Sequence, residues 1–343
     1  MIETVRGPLD RAELGIVSTN EHVLTDSRHL QRPTREGATL EGPIRAEILG
    51  DLRWSWMSLA DNLILDDVDA ATEELRAAHL EGLGTIVEAT SWGMGPAHQV
   101  RPEALPQISA VSGVNIVAAY GSYIDKTLPR WWSELTEARM QNLFETALTQ
   151  AIPGAAYRAG LLGLLGTSAE ITPSEGRALR AAARAAAASG AAVTIRLDAA
   201  ARRGPEVAGI LTDEGLPADR ILFCNIDKVL DPAYVREVVD TGAVVEFAFG
   251  SEHSFADRAR DATDVDRIDF LLDLLADRPA AAVTLSCSVW TKGQLTRHGG
   301  MGYGHVVRRV APALRRLGVT DERLEDMLIA RPAALLDRTE PIS

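Results

Sequence analysis

Eight short apolar runs recur along the 343-residue chain, each bounded by turn or helix signals. They are Leu14–Thr19, Thr85–Thr90, Asn115–Tyr120, Ala159–Leu165, Ala192–Leu197, Arg220–Cys224, Ala243–Phe249 and Ala281–Ser286. Such continuous runs read as strands buried on both faces, as in a parallel sheet covered by helices. Helix-like segments fall between them, at Asp69–Glu81, Pro173–Ser189, Pro232–Thr241, Asp264–Leu275 and Gly304–Leu317. Thr172 before Pro173 is a start signal, and Asp231 before Pro232 repeats it. Gly190 closes the helix that Thr172 opens, where a left-handed residue is wanted. At this length an α/β fold of eight such units predicts a closed (β/α)8 TIM barrel. A doubly wound open sheet is the alternative. Against it, no strand runs into a dinucleotide fingerprint, and Gly163-Leu164-Leu165-Gly166 lacks the third glycine.

The expected organisation is one barrel spanning residues 1–343, with an insertion over 23–83 that ends in the first barrel helix. Trp54-Ser55-Trp56-Met57 lies in that insertion, within an expected helix. It can pack on the barrel wall or form a lid over the mouth. Trp131-Trp132, after the third strand, carries the same two readings.

Composition narrows the function. Apolar residues make up 46% of the chain, enough for a large core. The formal charge of −13 argues against nucleic acid or an anionic membrane surface as a partner. No apolar run approaches the roughly 18–20 residues of a membrane span. The first residues have no apolar core of a signal peptide, and two unspaced cysteines fit a reduced compartment, so a cytoplasmic location is expected. Lysine occurs only at 126, 228 and 292, against 32 arginines, which reads as coding bias.

Barrel enzymes place their chemistry at the carboxyl ends of the strands. In strand order those ends hold Asn20-Glu21-His22, Glu88-Ala89-Thr90, Tyr120 with Tyr123, Leu164 to Thr167, Arg196-Leu197-Asp198, Asn225-Ile226-Asp227, Glu246-Phe247, and Cys287-Ser288-Val289-Trp290.

On these residues the chain resembles the phosphotriesterase family of the amidohydrolase superfamily. The resemblance runs through Thr4-Val5-Arg6-Gly7-Pro8-Leu9, Thr85-Ile86-Val87-Glu88-Ala89-Thr90, Arg158-Ala159-Gly160, Gly166-Thr167-Ser168, Ile171-Thr172-Pro173 and Gly299-Gly300-Met301-Gly302-Tyr303. It implies a barrel hydrolase with two divalent metals. Their ligands would be a His-x-His pair on the first strand, a bridging carbamylated Lys or Glu on the fourth, one His each on the fifth and sixth, and an Asp on the eighth. Carried over residue by residue, those positions hold Asn20 and His22, then Gly163 or Leu164, then Arg196, Asn225 and Ser288. Only His22 is a metal donor of the expected kind. Arg196 offers donors alone and would repel a cation. The other histidines are expected away from the centre: His98 and His298 in loops, His253 beyond the seventh strand, His305 at a helix start, and His29 and His79 far from the mouth.

The expectation is therefore a site with no metal and no other cofactor. Asn20, His22, Arg196, Asn225 and Ser288 should ring one cavity, because strand alternation puts 20 and 22 on the same side and turns Glu21 into the wall. His22 is the group that titrates near neutrality and serves as acid or base. Arg196 suits a carboxylate or phosphate, and Asn225 and Ser288 can donate to a carbonyl or oxyanion. Glu88, Glu246, Asp198 and Asp227 are candidate partners for His22 or Arg196. Tyr120, Tyr123 and Trp290, with Asn20, Glu88, Asp198 and Glu246, are expected to contact the ligand. Alternatively, these groups simply satisfy one another in a metal-free core. Cys287 reads as a small buried apolar residue, and Lys292 as a solvated loop charge.

Three functions follow. The first is a metal-independent enzyme on an anionic or carbonyl-containing small molecule, of lyase, isomerase or cyclase type, in secondary metabolism. The second is a non-catalytic member that binds a ligand or pairs with an active paralogue. The third is a hydrolase keeping one metal through His22 with Asn20 or Glu88. A homodimer is allowed for in each.

Overall fold

The computed structural model describes residues 1–96, 99, 101–257 and 259–338. Eight parallel strands form one sheet: β1 (Ile16–Glu21), β2 (Leu83–Glu88), β3 (Asn115–Tyr120), β4 (Leu161–Gly166), β5 (Val193–Arg196), β6 (Ile221–Cys224), β7 (Val244–Ala248) and β8 (Val283–Ser286). Each pairs with its sequence neighbours, in the order β8 to β1. This is the expected (β/α)8 TIM barrel, and every strand overlaps an apolar run read from the sequence.

Helices cover the outside: α1 (Val68–Leu80), α2 (Ala104–Ser112), α3 (Glu137–Thr149), α4 (Pro173–Ser189), α5 (Gly204–Asp213), α6 (Pro232–Asp240) and α7 (Asp264–Asp277). The start signals act as read. Thr172 caps α4 in a full capping box with Glu175, Gly190 closes it at φ 68°, and Asp231 caps α6. Among the described residues no helix is long and apolar enough to cross a membrane.

Two apolar layers result. The larger lies between strands and helices and includes Phe144, Trp132 and the alanines of α4. The smaller fills the barrel interior with Val17, Val87, Val117, Leu161, Leu222 and Val244. Ile2 from the N-terminal hairpin of Ile2–Thr4 and Gly7–Leu9, and Leu335 and Leu336 from the helix Arg331–Leu336, join this inner layer at one end.

The ends of the sheet meet across a seam between β1 and β8 that regular strand pairing does not close. Instead, the His22 amide donates to the Val289 carbonyl at 2.9 Å and the Ser288 amide to the Asn20 carbonyl at 3.1 Å. Glu21 completes the closure. Its carboxyl is fully buried and accepts from the amides of Cys287 and Val289, each at 2.8 Å, and from Ser18 Oγ at 2.5 Å.

The insertion departs from its expected form. Its helix Leu49–Trp54 ends before the rest of the tryptophan motif. Trp54 is half exposed, whereas Trp56 joins Ile44, Leu52 and Leu59 in a separate small core that also packs Phe255 and Trp290. The insertion thus sits on the barrel mouth and serves as both packing and cover. Lys292 is not a solvated charge; it pairs with Asp61 at 2.6 Å and ties the loop after β8 to the insertion. Trp132 is buried against Phe144 and Trp92, as a packing residue.

Replacing Glu21 with Ala leaves two buried amides without acceptors, so Glu21→Ala should lose roughly 2–5 kcal/mol in urea unfolding. Glu21→Gln keeps an acceptor and should lose less. A loss below about 1 kcal/mol in the alanine variant would show that the seam does not depend on this carboxyl.

Candidate functional site

The strand ends open into a cavity of about 340 Å³ under the insertion. His22, Leu164, Arg196, Asn225 and Ser288 form its floor. Lys228, His253 and Asp261 line one side, and Leu30, Met57, Met94, Phe255 and Trp290 make an apolar upper wall. The cavity therefore has a polar, cationic base and an apolar mouth, the arrangement of a site for a small amphiphilic molecule.

Sheet register sets the floor. Gly166, Arg196 and Cys224 stand side by side on β4, β5 and β6. Asn225 and Ser288, just past β6 and β8, adopt left-handed backbone at φ 54° and 47°. Asparagine tolerates that region and serine rarely occupies it, so the turn after β8 is the strained one of the two.

Asn20 lies one layer below, outside the lining. Its amide nitrogen reaches Asn225 Oδ1 at 3.2 Å, Glu246 Oε2 at 3.4 Å and Ser288 Oγ at 3.4 Å. Glu246 does not meet the ligand space. It accepts from the Asn225 amide at 2.5 Å and from Ser286 Oγ. Burial and the nearby Asp227 raise its pKa from 4.5 to about 8. Among the described residues Asn20 Oδ1 has no hydrogen-bond partner. With the amide turned over, a protonated Glu246 can donate to it.

His22 is held from behind. Its Nδ1 lies 3.0 Å from Thr90 Oγ1, and the Thr90 hydroxyl donates to Glu88 Oε1. With Glu88 ionised, the Thr90 proton is committed to the carboxylate, so Nδ1 must be the protonated ring nitrogen. Nε2 is then left with its lone pair for the cavity. Burial lowers the His22 pKa to about 4 and raises that of Glu88 to about 7. His22 is thus neutral at neutral pH, and an anion nearby would raise its basicity. Tyr303 from the last glycine-rich loop donates to the His22 carbonyl at 2.8 Å and fixes the backbone there.

Arg196 is half-buried and donates to the Leu197 carbonyl. It pairs with none of the carboxylates proposed for it. Asp198 turns away to cap the amides of Ala200 and Ala201 at 3.0 and 3.1 Å, Glu88 serves Thr90 and the Val23 amide, and Asp227 is taken by Arg267 at 2.7 Å. Among the described residues no carboxylate forms an ion pair with the Arg196 guanidinium.

Of the remaining expected contacts, Tyr123 and Trp290 line the cavity. Tyr120 does not; it faces the outer layer against Phe144 and accepts from Trp92 Nε1 at 3.2 Å. Cys287 is buried, with a thiol pKa pushed well up by desolvation. His253 overturns its placement away from the site, since it reaches the cavity wall from the loop after β7. His29 adjoins the lining residue Leu30. His305 pairs with Asp264 at 2.7 Å, and His98 lies outside the described residues.

Sequence reasoning missed Lys228, His253, Asp261 and Thr90. The lysine alone carried a signal, as one of three in an arginine-rich chain and three residues past the Asn225 position.

The residues present do not fit a divalent pair. A side chain at Gly163 would place its Cβ 1.9 Å from Thr194 Oγ1, so neither Lys nor Glu can stand there unless β5 moves. Leu164 is the neighbour that faces the cavity. His22 uses one nitrogen on Thr90, Arg196 brings a fixed positive charge, and Asn225 and Ser288 are weak neutral donors. Among the described residues no three of His, Cys, Asp and Glu converge as a metal site.

Comparison with known proteins agrees with this architecture. The family model described as "Phosphotriesterase family" matches residues 1–336. An N-acetyltaurine hydrolase of Dictyostelium discoideum is 26% identical over 98% of this chain and 97% of its own. A phosphotriesterase-related protein of Nematostella vectensis is 30% identical over 98% of each. The crystal structure of a resiniferatoxin-binding protein from Rhodobacter sphaeroides superposes with a TM-score of 0.91 at 31% identity, covering 98% of this chain and 94% of that one.

Three buried carboxyls, Glu21, Glu88 and Glu246, have folded pKa values of about 7, 7 and 8 against 4.5. A carboxyl whose pKa is raised by folding favours the folded state in its protonated form. That contribution is complete below pH 4.5 and declines as pH rises to about 8, then stays flat. The depressed Asp261 and Asp264 act oppositely, and their contribution is lost as pH falls. Glu246→Gln should therefore flatten the fall in melting temperature between pH about 5 and 8. A variant curve parallel to wild type would refute the assignment.

Proposed function

Because the chain belongs to the phosphotriesterase family but lacks the donors for its metal pair, we propose that it is a side-chain acid–base enzyme acting on a small organic anion. The observation that carries this reading is the Arg196 guanidinium, a half-buried cation at a cavity floor with no carboxylate partner among the described residues. A charge left so in a confined site calls for a counter-charge, and a forked guanidinium suits a carboxylate, sulfonate or phosphate.

His22 Nε2 takes a proton from the bound molecule or from water. With Glu88 ionised, Thr90 and Glu88 hold the imidazole in the tautomer that makes this possible. Negative charge that develops on a substrate oxygen is met by Asn225, Ser288 and Arg196, which share the floor with His22. The apolar wall of Leu30, Met57, Met94, Phe255 and Trp290 takes the body of the molecule. Elimination, isomerisation and cyclisation all need only this set, and hydrolysis needs one water more. The relatives named N-acetyltaurine hydrolase support an anionic head group, since taurine carries a sulfonate. The same apolar wall, and the name of the resiniferatoxin-binding protein, favour a second reading in which the cavity binds its ligand without turning it over.

The test is a panel of N-acyl amino sulfonates, β-hydroxy acids, lactones and aryl esters, assayed in 1,10-phenanthroline. Turnover should persist with the chelator. It should fall about 10²–10⁴-fold in kcat for His22→Gln, while Arg196→Met should act mainly on KM. Tight uptake of zinc or manganese as a pair, with turnover lost on chelation, would overturn the proposal. Binding without turnover of any panel member would establish the second reading.

A further inference from the structure

The loop after β7 brings a second polar cluster to the cavity, apart from the floor. The loop doubles back on itself, with the Asp261 amide donating to the His253 carbonyl at 2.8 Å and the Phe255 amide to the Ala259 carbonyl at 2.9 Å. This sets the His253 and Asp261 side chains next to each other. Asp261 Oδ1 lies 2.6 Å from Lys228 Nζ, which rises from the turn after β6. Asp261 Oδ2 lies 3.3 Å from His253 Nδ1. The His253 ring is stacked on Trp56 of the insertion at 3.8 Å between centroids, so the cluster cannot swing away freely.

The hydrogen bonding of the cluster is incomplete. Asp261 and His253 side chains are only 5% exposed, yet among the described residues Asp261 Oδ2 and His253 Nδ1 have no partner but each other, at a long 3.3 Å. Lys228 has three N–H donors and spends one on Asp261. Buried polar atoms left open in a ligand cavity are costly unless something else completes them. All three side chains line the same cavity as Arg196.

We propose that Lys228, Asp261 and His253 form a second subsite that takes a neutral group able to donate and accept at once, an amide or a hydroxyl. Within the Lys228–Asp261 pair the charges favour a neutral group. A cationic group offered to Asp261 meets the Lys228 ammonium already on its other oxygen. An anionic group offered to Lys228 meets the Asp261 carboxylate. A neutral amide escapes both penalties: its N–H goes to Asp261 Oδ2 and its oxygen accepts from Lys228. The substrate class that follows is an organic anion carrying an amide or hydroxyl some distance from the charge, the anion on Arg196 and the neutral dipole here. The anionic half rests on the function proposed above; the subsite itself does not.

Calorimetric titration with three probes tests it. N-hexanoylglycine and nonanoate match in chain length and charge and differ in the amide, while N-hexanoylglycinamide has the amide without the charge. Wild type should prefer N-hexanoylglycine to nonanoate by about tenfold, near the worth of one well-made hydrogen bond. Lys228→Met with Asp261→Val removes both charges together, so no lone buried charge remains; it should bind the two acids equally. Lys228→Gln with Asp261→Asn, milder for folding, should show an intermediate preference and decides the matter if the first pair does not fold. Equal binding of the two acids to wild type, or a preference unchanged in the folded variants, would overturn the subsite and mean that water alone completes these atoms. If N-hexanoylglycinamide binds as well as N-hexanoylglycine, the anionic reading fails while the subsite is still judged by whether the variants weaken the neutral amide. No binding by any of the three would overturn both.

Discussion

Everything at the mouth of this barrel depends on one buried carboxyl. Eight parallel strands must close on themselves, yet β1 and β8 meet without a regular ladder. Glu21 supplies what the ladder lacks by accepting from two successive outward amides of the strand-end segment, at Cys287 and Val289. The residues on either side of Glu21 and between those amides are Asn20, His22 and Ser288. Closing the seam therefore also places two floor residues, His22 and Ser288, and sets Asn20 in the layer beneath them. Any slip of a single residue at this seam would turn the floor residues into the wall.

The same device recurs around the ring. Glu88 holds Thr90 and the Val23 amide, and so orients His22. Glu246 holds the Asn225 amide and sits against Asn20. Three carboxyls thus lie beneath the floor and bind backbone amides and hydroxyls, work that keeps them desolvated and partly protonated. A divalent pair in the same place would require the anions to face the cavity. Here they face the scaffold, and the group facing the cavity at β5 is an arginine. The floor thus presents a fixed positive charge where a metal centre would present anionic ligands.

Much of this was legible in the sequence. The apolar runs placed all eight strands, because burial on both faces keeps most of their residues apolar even though Glu21, Glu88, Arg196 and Glu246 stand among them. Caps at Thr172, Gly190 and Asp231 are local chemistry and were readable for that reason. Floor residues followed from strand order plus the resemblance to a known family. The loops were not legible. Trp56 ends up on His253, about two hundred positions away, through a contact with no period and no cap. Arg196 without a carboxylate could not be foreseen either, since Asp198 stands two positions away and the sequence gives no sign that it caps its own loop. Thr90 was passed over because a threonine at a strand end looks like an ordinary β-former until its hydroxyl is seen between an imidazole and a carboxyl.

The local sign of the floor also reconciles an apparent conflict with the whole molecule. A chain with net charge −13 should repel an anion at a distance. At physiological ionic strength, however, exposed charges are screened beyond roughly 8 Å, while charges inside a walled cavity are screened far less. An anion bound there as proposed would meet Arg196 at the floor, with Arg260 and Lys228 on the lining, the latter already half-spent on Asp261. On the proposed reading the surface charge opposes the approach of the anion, and the Arg196 guanidinium, which has no carboxylate partner among the described residues, holds it at the floor. This separation would let an acidic protein hold an acidic ligand as proposed, and it would assign selectivity to the few side chains that touch the cavity, not to the charge of the fold.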